Sequence, residues 1–103
     1  MEEKMTLFKF RFDGKDGFLS IVEHEGFYYS FAEKDTPKVK AAEETGKMLI
    51  SYTARNPEFK EVNVSFSDDE EITQLVYKQL KEEKNFYFDQ LDDSLVLLKI
   101  DKE

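Results

Sequence analysis

The sequence predicts a mainly β domain with two helices, in which about six to seven antiparallel strands form a closed or partly closed barrel. Apolar and polar residues alternate along several short segments, which is the period of a half-buried strand. The turns between the first segments are too short for the crossover connections of parallel strands. Two further segments carry apolar residues at helical spacing. With 103 residues, the chain is expected to form one domain, 1–103, around one core.

The N-terminal part is predicted to form three strands, over residues 6–12, 18–23 and 27–32. In the first strand Phe8, Phe10 and Phe12 share one face, so we expect that face to be buried. The turn over residues 13–17 contains an Asp-Gly pair, which readily supplies the positive φ of a tight hairpin. The third strand alternates in the same way, and its aromatic residues are also assigned to the core.

Two helices are predicted in the remainder of the chain. Thr36-Pro37 is typical of a helix start, since a threonine hydroxyl can cap a free backbone N–H and proline fits the first helical position. Gly46 is the matching end, and Val39 and Ala42 form the buried stripe.

Ser67 and Glu70 have the spacing of a capping box, which predicts the start of the second helix. Its apolar face is expected to contain Ile72, Leu75, Val76 and Leu80. Further strands are predicted over residues 47–53, 60–66, 86–88 and 94–100.

The chain is acidic, with 23 Asp and Glu against 15 Lys and Arg and a net charge of -8. Such a surface repels phosphate backbones, so we expect no nucleic-acid partner. No apolar run approaches the roughly 20 residues that span a bilayer, and the first four residues lack the layout of a signal peptide. Since cysteine is also absent, we expect a cytoplasmic protein without a membrane partner.

No metal site is expected. The acidic run Asp68–Glu71 lacks the ligand spacing of a calcium loop, and its charges suit the first turn of a helix. His24 is the single histidine and falls in a predicted turn. It has no cysteine or second histidine with which to complete a metal shell, and no Ser-His-Asp or Cys-His grouping is expected.

Five segments follow one another in the order of a known family. They are Tyr28-Tyr29-Ser30, Thr36-Pro37-Lys38-Val39, and residues 48–52, 61–64 and 94–100. The first is the end of a strand, the second a loop entering a short helix, and the others are apolar strands. Over roughly residues 17–101 this pattern resembles the FMN-binding split β-barrels of the pyridoxamine 5'-phosphate oxidase-like family.

The resemblance implies a homodimer that holds FMN in a cleft between its subunits. The flavin would supply the chemistry of an oxidoreductase acting on a small substrate that the sequence does not identify. Lys38 is expected to meet the flavin phosphate as a point charge, and Thr36 to add a hydroxyl at a helix N-terminus. The resemblance also implies a hydroxyl contact from Ser30 and a wall for the ring system from Tyr29.

Several of these residues also have a purely structural interpretation. The segment Thr36–Lys38 is complete as a capped helix start with a solvated lysine, so both interpretations stay open. Tyr28 and Tyr52 are candidates for a pocket or dimer face, because tyrosine tolerates a half-wet site.

The sequence also departs from the pattern it resembles. The segment Phe18–Val22 carries none of the bases that reach the phosphate, and Glu61 stands where oxidases carry a glutamine. Arginines for a pyridoxal phosphate substrate have no counterpart, so we do not expect pyridoxamine phosphate oxidase activity. Three functions stay open: an FMN-binding protein, a degenerate split barrel acting as a dimeric interaction module, and a small acidic protein that binds a basic partner.

Overall fold

The computed structural model describes residues 6–53, 56–82 and 94–101, and it confirms the mainly β fold with two helices. The elements are β1 (Thr6–Phe12), β2 (Lys15–His24), β3 (Phe27–Glu33), α1 (Pro37–Thr45), β4 (Lys47–Ser51), β5 (Lys60–Ser67), α2 (Glu70–Glu82) and β6 (Leu95–Asp101). The strand predicted at 86–88 lies outside the described residues. Within the described ranges, no helix has the length and apolar character needed to cross a membrane.

The strands close into an antiparallel barrel in the order β1-β2-β3-β6-β5-β4. The first hairpin turns at Asp13 and Gly14, which both have positive φ, 56° and 76°. That backbone matches the twist of two antiparallel strands joined by two residues. The turn is therefore shorter than predicted, and β2 begins at Lys15 rather than at Phe18.

Two strands pass from one half of the barrel to the other. Residues 15–21 of β2 pair with β1, whereas residues 22–24 pair with β3. In β5, residues 60–63 pair with β4 and residues 64–67 pair with β6. We call the half that contains β1 and β4 the front half, and the half that contains β3 and β6 the back half.

The described residues form two apolar clusters, where one core was predicted. The barrel interior contains Phe8, Leu19, Ile21, Ala42, Ile50, Val62, Val64, Leu98 and Ile100. The second cluster lies between α2 and the back half and contains Val22, Tyr29, Phe31, Val76, Leu80 and Leu97. Because successive strand residues point to opposite faces, Leu97 and Leu98 belong to different clusters. The predicted aromatic core is thus divided between two layers.

Helix α1 lies against β4 and β5, with Val39 and Ala42 buried as predicted. Gly46 ends it at a φ of 72°, and its N–H donates to the carbonyl of Ala42 at 2.8 Å. Thr36 occupies the N-cap position, but the predicted cap bond is wrong. Its hydroxyl donates to the carbonyl of Glu33 at 2.9 Å and makes no cap hydrogen bond, because it closes the turn that enters the helix.

Helix α2 is capped two residues later than predicted. The Oδ1 atom of Asp69 accepts from the N–H groups of Glu71 and Ile72, at 3.0 and 3.3 Å. The hydroxyl of Ser67 accepts from the N–H of Asp69 at 3.2 Å. A carboxylate is the stronger acceptor, so Asp69 rather than Ser67 takes the first free N–H groups of the helix.

Candidate functional site

A cleft of about 240 Å³ runs along α1 at the edge of the front half. Helix α1 forms one wall with Lys38, Ala41, Ala42 and Thr45, which lie on one face at helical spacing. Residues of β1, β4, β5 and the first hairpin form the other wall, among them Arg11, Asp13, Lys47, Leu49 and Glu61. We refer to this feature as the α1 cleft.

Lys38 lies in the first turn of α1 and is held against an aromatic ring. Its Nζ atom is 4.9 Å from the centroid of the Phe10 ring, within the range of a cation–π contact. The side chain is half-buried, and this burial lowers the pKa of the ammonium from its usual value, opposed by the nearby charge of Glu33. Lys38 is therefore a partly desolvated cation at a cleft wall.

The α1 cleft gathers positive charge in an acidic chain. Arg11, Lys38 and Lys47 line it, against the carboxylates of Asp13 and Glu61, whereas the whole chain has a net charge of -8. Among the described residues, the lining carries three positive and two negative formal charges.

Arg11 and Lys38 differ in the contacts that they already make within the protein. Arg11 is paired with Asp16, which lies opposite it in β2, at 2.7 Å. Its guanidinium carbon also lies 4.3 Å from the centroid of the Phe59 ring. Lys38 rests on a ring and meets the charge of Glu33 only as a secondary influence on its pKa. Lys38 is thus the better placed of the two to meet an anion.

The N-terminus of α1 lacks the side-chain cap that the N-terminus of α2 has. No acidic residue lies in the first turn of α1, and Thr36 gives it no side-chain cap. In α2, by contrast, the carboxylate of Asp69 accepts from two N–H groups, and Glu70 and Glu71 occupy the first turn. The positive end of the α1 dipole is therefore the one open to an external anion.

The four residues expected to contact a flavin do not all reach the α1 cleft. Lys38 lines the cleft, whereas Thr36 lies two residues earlier, at the N-cap of α1, and is not among the lining residues. Tyr29 is 2 % exposed and packs in the cluster beneath α2. Ser30 is equally buried, on the other face of β3, which points into the barrel.

The outer surface of the front half carries exposed apolar side chains and continues into the cleft. Phe18 and Leu49 are 53 % and 40 % exposed, and the strand register places Lys9 beside Phe18 and Arg11 beside Leu49. The Nζ atom of Lys9 lies 5.3 Å from the centroid of the Phe18 ring. We call this surface the front face. Because Arg11 and Leu49 also line the cleft, whatever covers the front face reaches the cleft mouth.

Tyr28 and Tyr52 lie at the margin of the barrel core. Both are half-buried and stack edge-on against Phe8, with ring centroids 4.9 and 5.0 Å away. The Nζ atom of Lys60 lies 5.5 Å from the centroid of the Tyr52 ring. The structure therefore shows the two tyrosines as part of the barrel packing.

Within residues 6–53, 56–82 and 94–101, no three His, Cys, Asp or Glu side chains gather as a metal site. His24 ends β2 instead of lying in the turn, and its ring centroid is 6.4 Å from that of Tyr29. Its Nε2 atom lies 3.9 Å from a carboxylate oxygen of Glu25.

Sequence reasoning missed Arg11, Asp13 and Lys47 as cleft residues. They come from β1, the first hairpin and β4, and they meet because Arg11 lies opposite Leu49, which in turn lies opposite Glu61. This neighbourhood depends on the register across three strands, which alternation within one strand does not fix. The Asp-Gly turn did signal that Asp13 closes a hairpin, but not which helix the hairpin faces.

Several solved protein structures share the fold. General stress protein 26 from Bacillus anthracis matches with a TM-score of 0.63 at 14% identity, covering 97% of this chain and 80% of that one. A NimC/NimA family protein from Clostridium acetobutylicum matches with a TM-score of 0.62 at 17% identity, covering 95% of this chain and 73% of that one. A Listeria innocua protein named for pyridoxamine 5'-phosphate oxidase matches with a TM-score of 0.60 at 16% identity, covering 95% of this chain and 82% of that one.

At the level of sequence, no protein-family model and no curated protein matches the chain. The identities to the three solved structures are low, so the shared feature is the arrangement of strands and helices. The predicted resemblance is confirmed in that sense: the chain has the split-barrel fold of pyridoxamine 5'-phosphate oxidase-like proteins.

Proposed function

We propose that the chain is an FMN-binding split barrel and that the α1 cleft holds the phosphate end of the flavin. The observation that supports this most directly is the half-buried ammonium of Lys38 in the first turn of a helix without an acidic cap. A cation beside the positive end of a helix dipole favours the binding of a phosphate. When bound, FMN would supply the redox chemistry of a flavin-dependent oxidoreductase.

The size of the cleft supports a second subunit. Its volume of about 240 Å³ is below the range of about 300–1,000 Å³ typical of pockets that enclose a whole cofactor-sized ligand. A phosphate and the start of the ribityl chain fit within it, so the ring system would extend past Leu49 onto the front face. A second copy of the chain on that face would cover both the ring system and the exposed Phe18.

The roles of the four expected residues differ in this proposal. Lys38 contacts the phosphate directly. Thr36 would act by fixing the turn that enters α1, since its hydroxyl and its backbone N–H both donate to the carbonyl of Glu33. Tyr29 and Ser30 are buried, so they would act by fixing β3, the strand that leads into this loop.

A second function, a dimeric interaction module without flavin, is favoured by one observation. Glu61 lines the cleft, and its carboxylate opposes a phosphate at close range. Arg11, which could offset that charge, is already paired with Asp16. Both functions use the front face for a homodimer, and flavin binding separates them.

The decisive experiment is a titration of the protein with FMN, followed by flavin fluorescence, for the wild type and Lys38→Ala. We expect the substitution to weaken FMN by about 1–3 kcal/mol, roughly ten- to a hundredfold, which is the size of one charge-assisted phosphate contact. Riboflavin has no phosphate and should bind weakly to both proteins. Thermal stability should hardly change, because the lost contact with the Phe10 ring is offset by removing a cation from the unfavourable end of the helix dipole.

Lys40→Ala is the matched control, since Lys40 is an exposed lysine of the same helix outside the cleft lining. It should bind FMN as the wild type does, apart from the small long-range effect of one charge. If the wild type shows no FMN binding, the interaction module becomes the better explanation. If the wild type and Lys38→Ala bind FMN with equal affinity, the flavin phosphate is not bound at α1.

A further inference from the structure

Gly17 lies opposite Phe10 in the β1–β2 pair, and it has no room for a side chain. A Cβ atom built on Gly17 would lie 2.5 Å from Cζ and 2.6 Å from Cε2 of the Phe10 ring. The glycines with positive φ among the described residues are Gly14, Gly26 and Gly46, so the backbone of Gly17 does not require glycine. What the position requires is space for the ring.

The ring that occupies this space joins the barrel core to α1. Phe10 is half-buried and packs against the barrel cluster that includes Ala42 of α1. Its centroid lies 4.9 Å from the ammonium of Lys38, which comes from the first turn of the same helix. Gly17, Phe10 and Lys38 therefore form a continuous series of contacts from β2 to the cleft wall.

A lysine side chain has four rotatable bonds, and fixing it costs conformational entropy. The face of an aromatic ring attracts the ammonium and narrows the range of its positions. At Lys38 this contact replaces part of the lost hydration, since the side chain is half-buried and the carboxylate of Glu33 acts only secondarily. The position of the cation thus depends on the position of the ring.

We propose that Phe10 is a positioning residue that holds the ammonium of Lys38 at the α1 cleft, and that Gly17 makes room for it to do so. The proposal rests on the proposed role of Lys38 as the phosphate contact. It adds that Gly17 in β2, which itself touches no ligand, influences the anion affinity of the cleft through the position of the Phe10 ring.

The geometry can be measured without any ligand. Protons above an aromatic ring are shielded, so the ε-CH₂ protons of Lys38, assigned by their loss in Lys38→Arg, should resonate upfield of those of exposed lysines. Phe10→Leu removes the ring and should abolish the shift. Gly17→Ala keeps the ring but displaces it, and should reduce the shift. Gly17→Ala in the Phe10→Leu background should change nothing further, because leucine leaves the space free.

Phe27→Leu is the matched control, since Lys99 lies 4.1 Å from the centroid of the Phe27 ring, outside the cleft. It should remove the shift of Lys99 and leave that of Lys38 intact. In FMN titrations, Phe10→Leu and Gly17→Ala should each weaken binding about two- to fivefold, the size of an exposed cation–π contact. Phe27→Leu should bind FMN as the wild type does, once its folding has been verified by far-UV circular dichroism.

The outcomes separate this inference from the proposed function. If Lys38 shows no ring-current shift in the wild type, or if Gly17→Ala leaves that shift unchanged, the positioning role is overturned whether or not FMN binds. If the shifts behave as expected but the wild type binds no FMN, the positioning stands and the flavin function fails. If FMN binds the wild type and both variants with equal affinity, the contact exists but does not set the affinity, and the inference is overturned.

Discussion

The guanidinium of Arg11 donates to both carboxylate oxygens of Asp16, at 2.7 and 3.3 Å, across the β1–β2 pair. The two residues face each other in register, so the strand pairing itself brings the fork of the arginine to the carboxylate. Arg11 also lines the α1 cleft. One of the three cleft cations is therefore held by an internal carboxylate, and this pairing has consequences for both titration and binding.

The first prediction concerns pH. The hydrogen bond from Arg11 lowers the pKa of Asp16 below its usual value. Burial opposes this shift, and the charges of Arg11 and Lys9 add to it. Carbon NMR of the Asp16 carboxyl group should give a low midpoint in the wild type, and Arg11→Gln should move it up towards the usual value. A midpoint unchanged by Arg11→Gln would mean that the pair does not persist in solution.

The lowered pKa of Asp16 also fixes the direction in which the free energy of unfolding changes with pH. A lowered pKa in the folded state means that the stabilisation is complete above the unfolded pKa and is lost as the pH falls through the folded pKa. The free energy of unfolding of the wild type should therefore drop more steeply in acid than that of Arg11→Gln. The difference should be small, because both groups are exposed to solvent and screened by salt.

The second prediction concerns binding at the cleft. Asp16→Asn removes the carboxylate that holds Arg11, so the guanidinium becomes available to an anion in the α1 cleft. FMN should then bind about two- to fivefold more tightly at low salt, the size of an exposed charge pair. Asp68→Asn is the control, since it removes the same charge from an exposed site outside the cleft lining. An equal gain in both variants would show a general effect of net charge.

The third prediction concerns the front face. If two copies of the chain meet there, Phe18→Glu or Leu49→Glu places a carboxylate in an apolar contact and should yield a monomer in analytical ultracentrifugation. Leu75→Glu is the control, because Leu75 of α2 is 37 % exposed and lies elsewhere. The wild type should be a dimer that buries more than about 1,000 Å². A wild type that stays monomeric at high micromolar concentration would contradict the proposed homodimer.

The front face is also expected to complete the flavin site. Phe18→Glu should therefore weaken FMN binding although Phe18 is not part of the cleft lining. The loss should be smaller at protein concentrations high enough to restore the dimer. A monomeric variant with wild-type FMN affinity would show that one chain suffices for the cofactor.

Alternation within a strand is local, and for that reason the sequence predicted the strands well. Phe8, Val62 and Val64 could each be assigned to a buried face from their neighbours alone, and the structure confirms this. The pattern does not say which layer a buried face meets. Tyr29 alternates as Phe8 does, but it faces α2 rather than the barrel interior. The second cluster depends on where α2 returns to the sheet, which is a long-range contact.

The candidate site also contains residues that the local sequence predicts and residues that only long-range contacts bring together. The resemblance to the split-barrel family implies Lys38 as a phosphate contact, and a few consecutive residues place it at a helix start. Arg11 and Lys47 join it through strand register, and Phe10 reaches it because Gly17 leaves space across the hairpin. The predicted cap bond of Thr36 is wrong for a related reason. Its hydroxyl can bond either to an N–H of the following helix or to a preceding carbonyl, and the local sequence is compatible with both.

The last prediction tests whether the two apolar clusters are independent. Ile50 is fully buried in the barrel interior, and Leu80 is 2 % exposed beneath α2. Ile50→Val should cost about 0.5–1.5 kcal/mol of unfolding free energy and Leu80→Ala about 2–5 kcal/mol, from lost transfer energy and the cavity left behind. Because the two side chains share no cluster, the double variant should cost their sum to within about 0.5 kcal/mol in urea unfolding. A coupling energy above about 1 kcal/mol would mean that the barrel wall transmits repacking from one layer to the other, and that α2 and the barrel form one core.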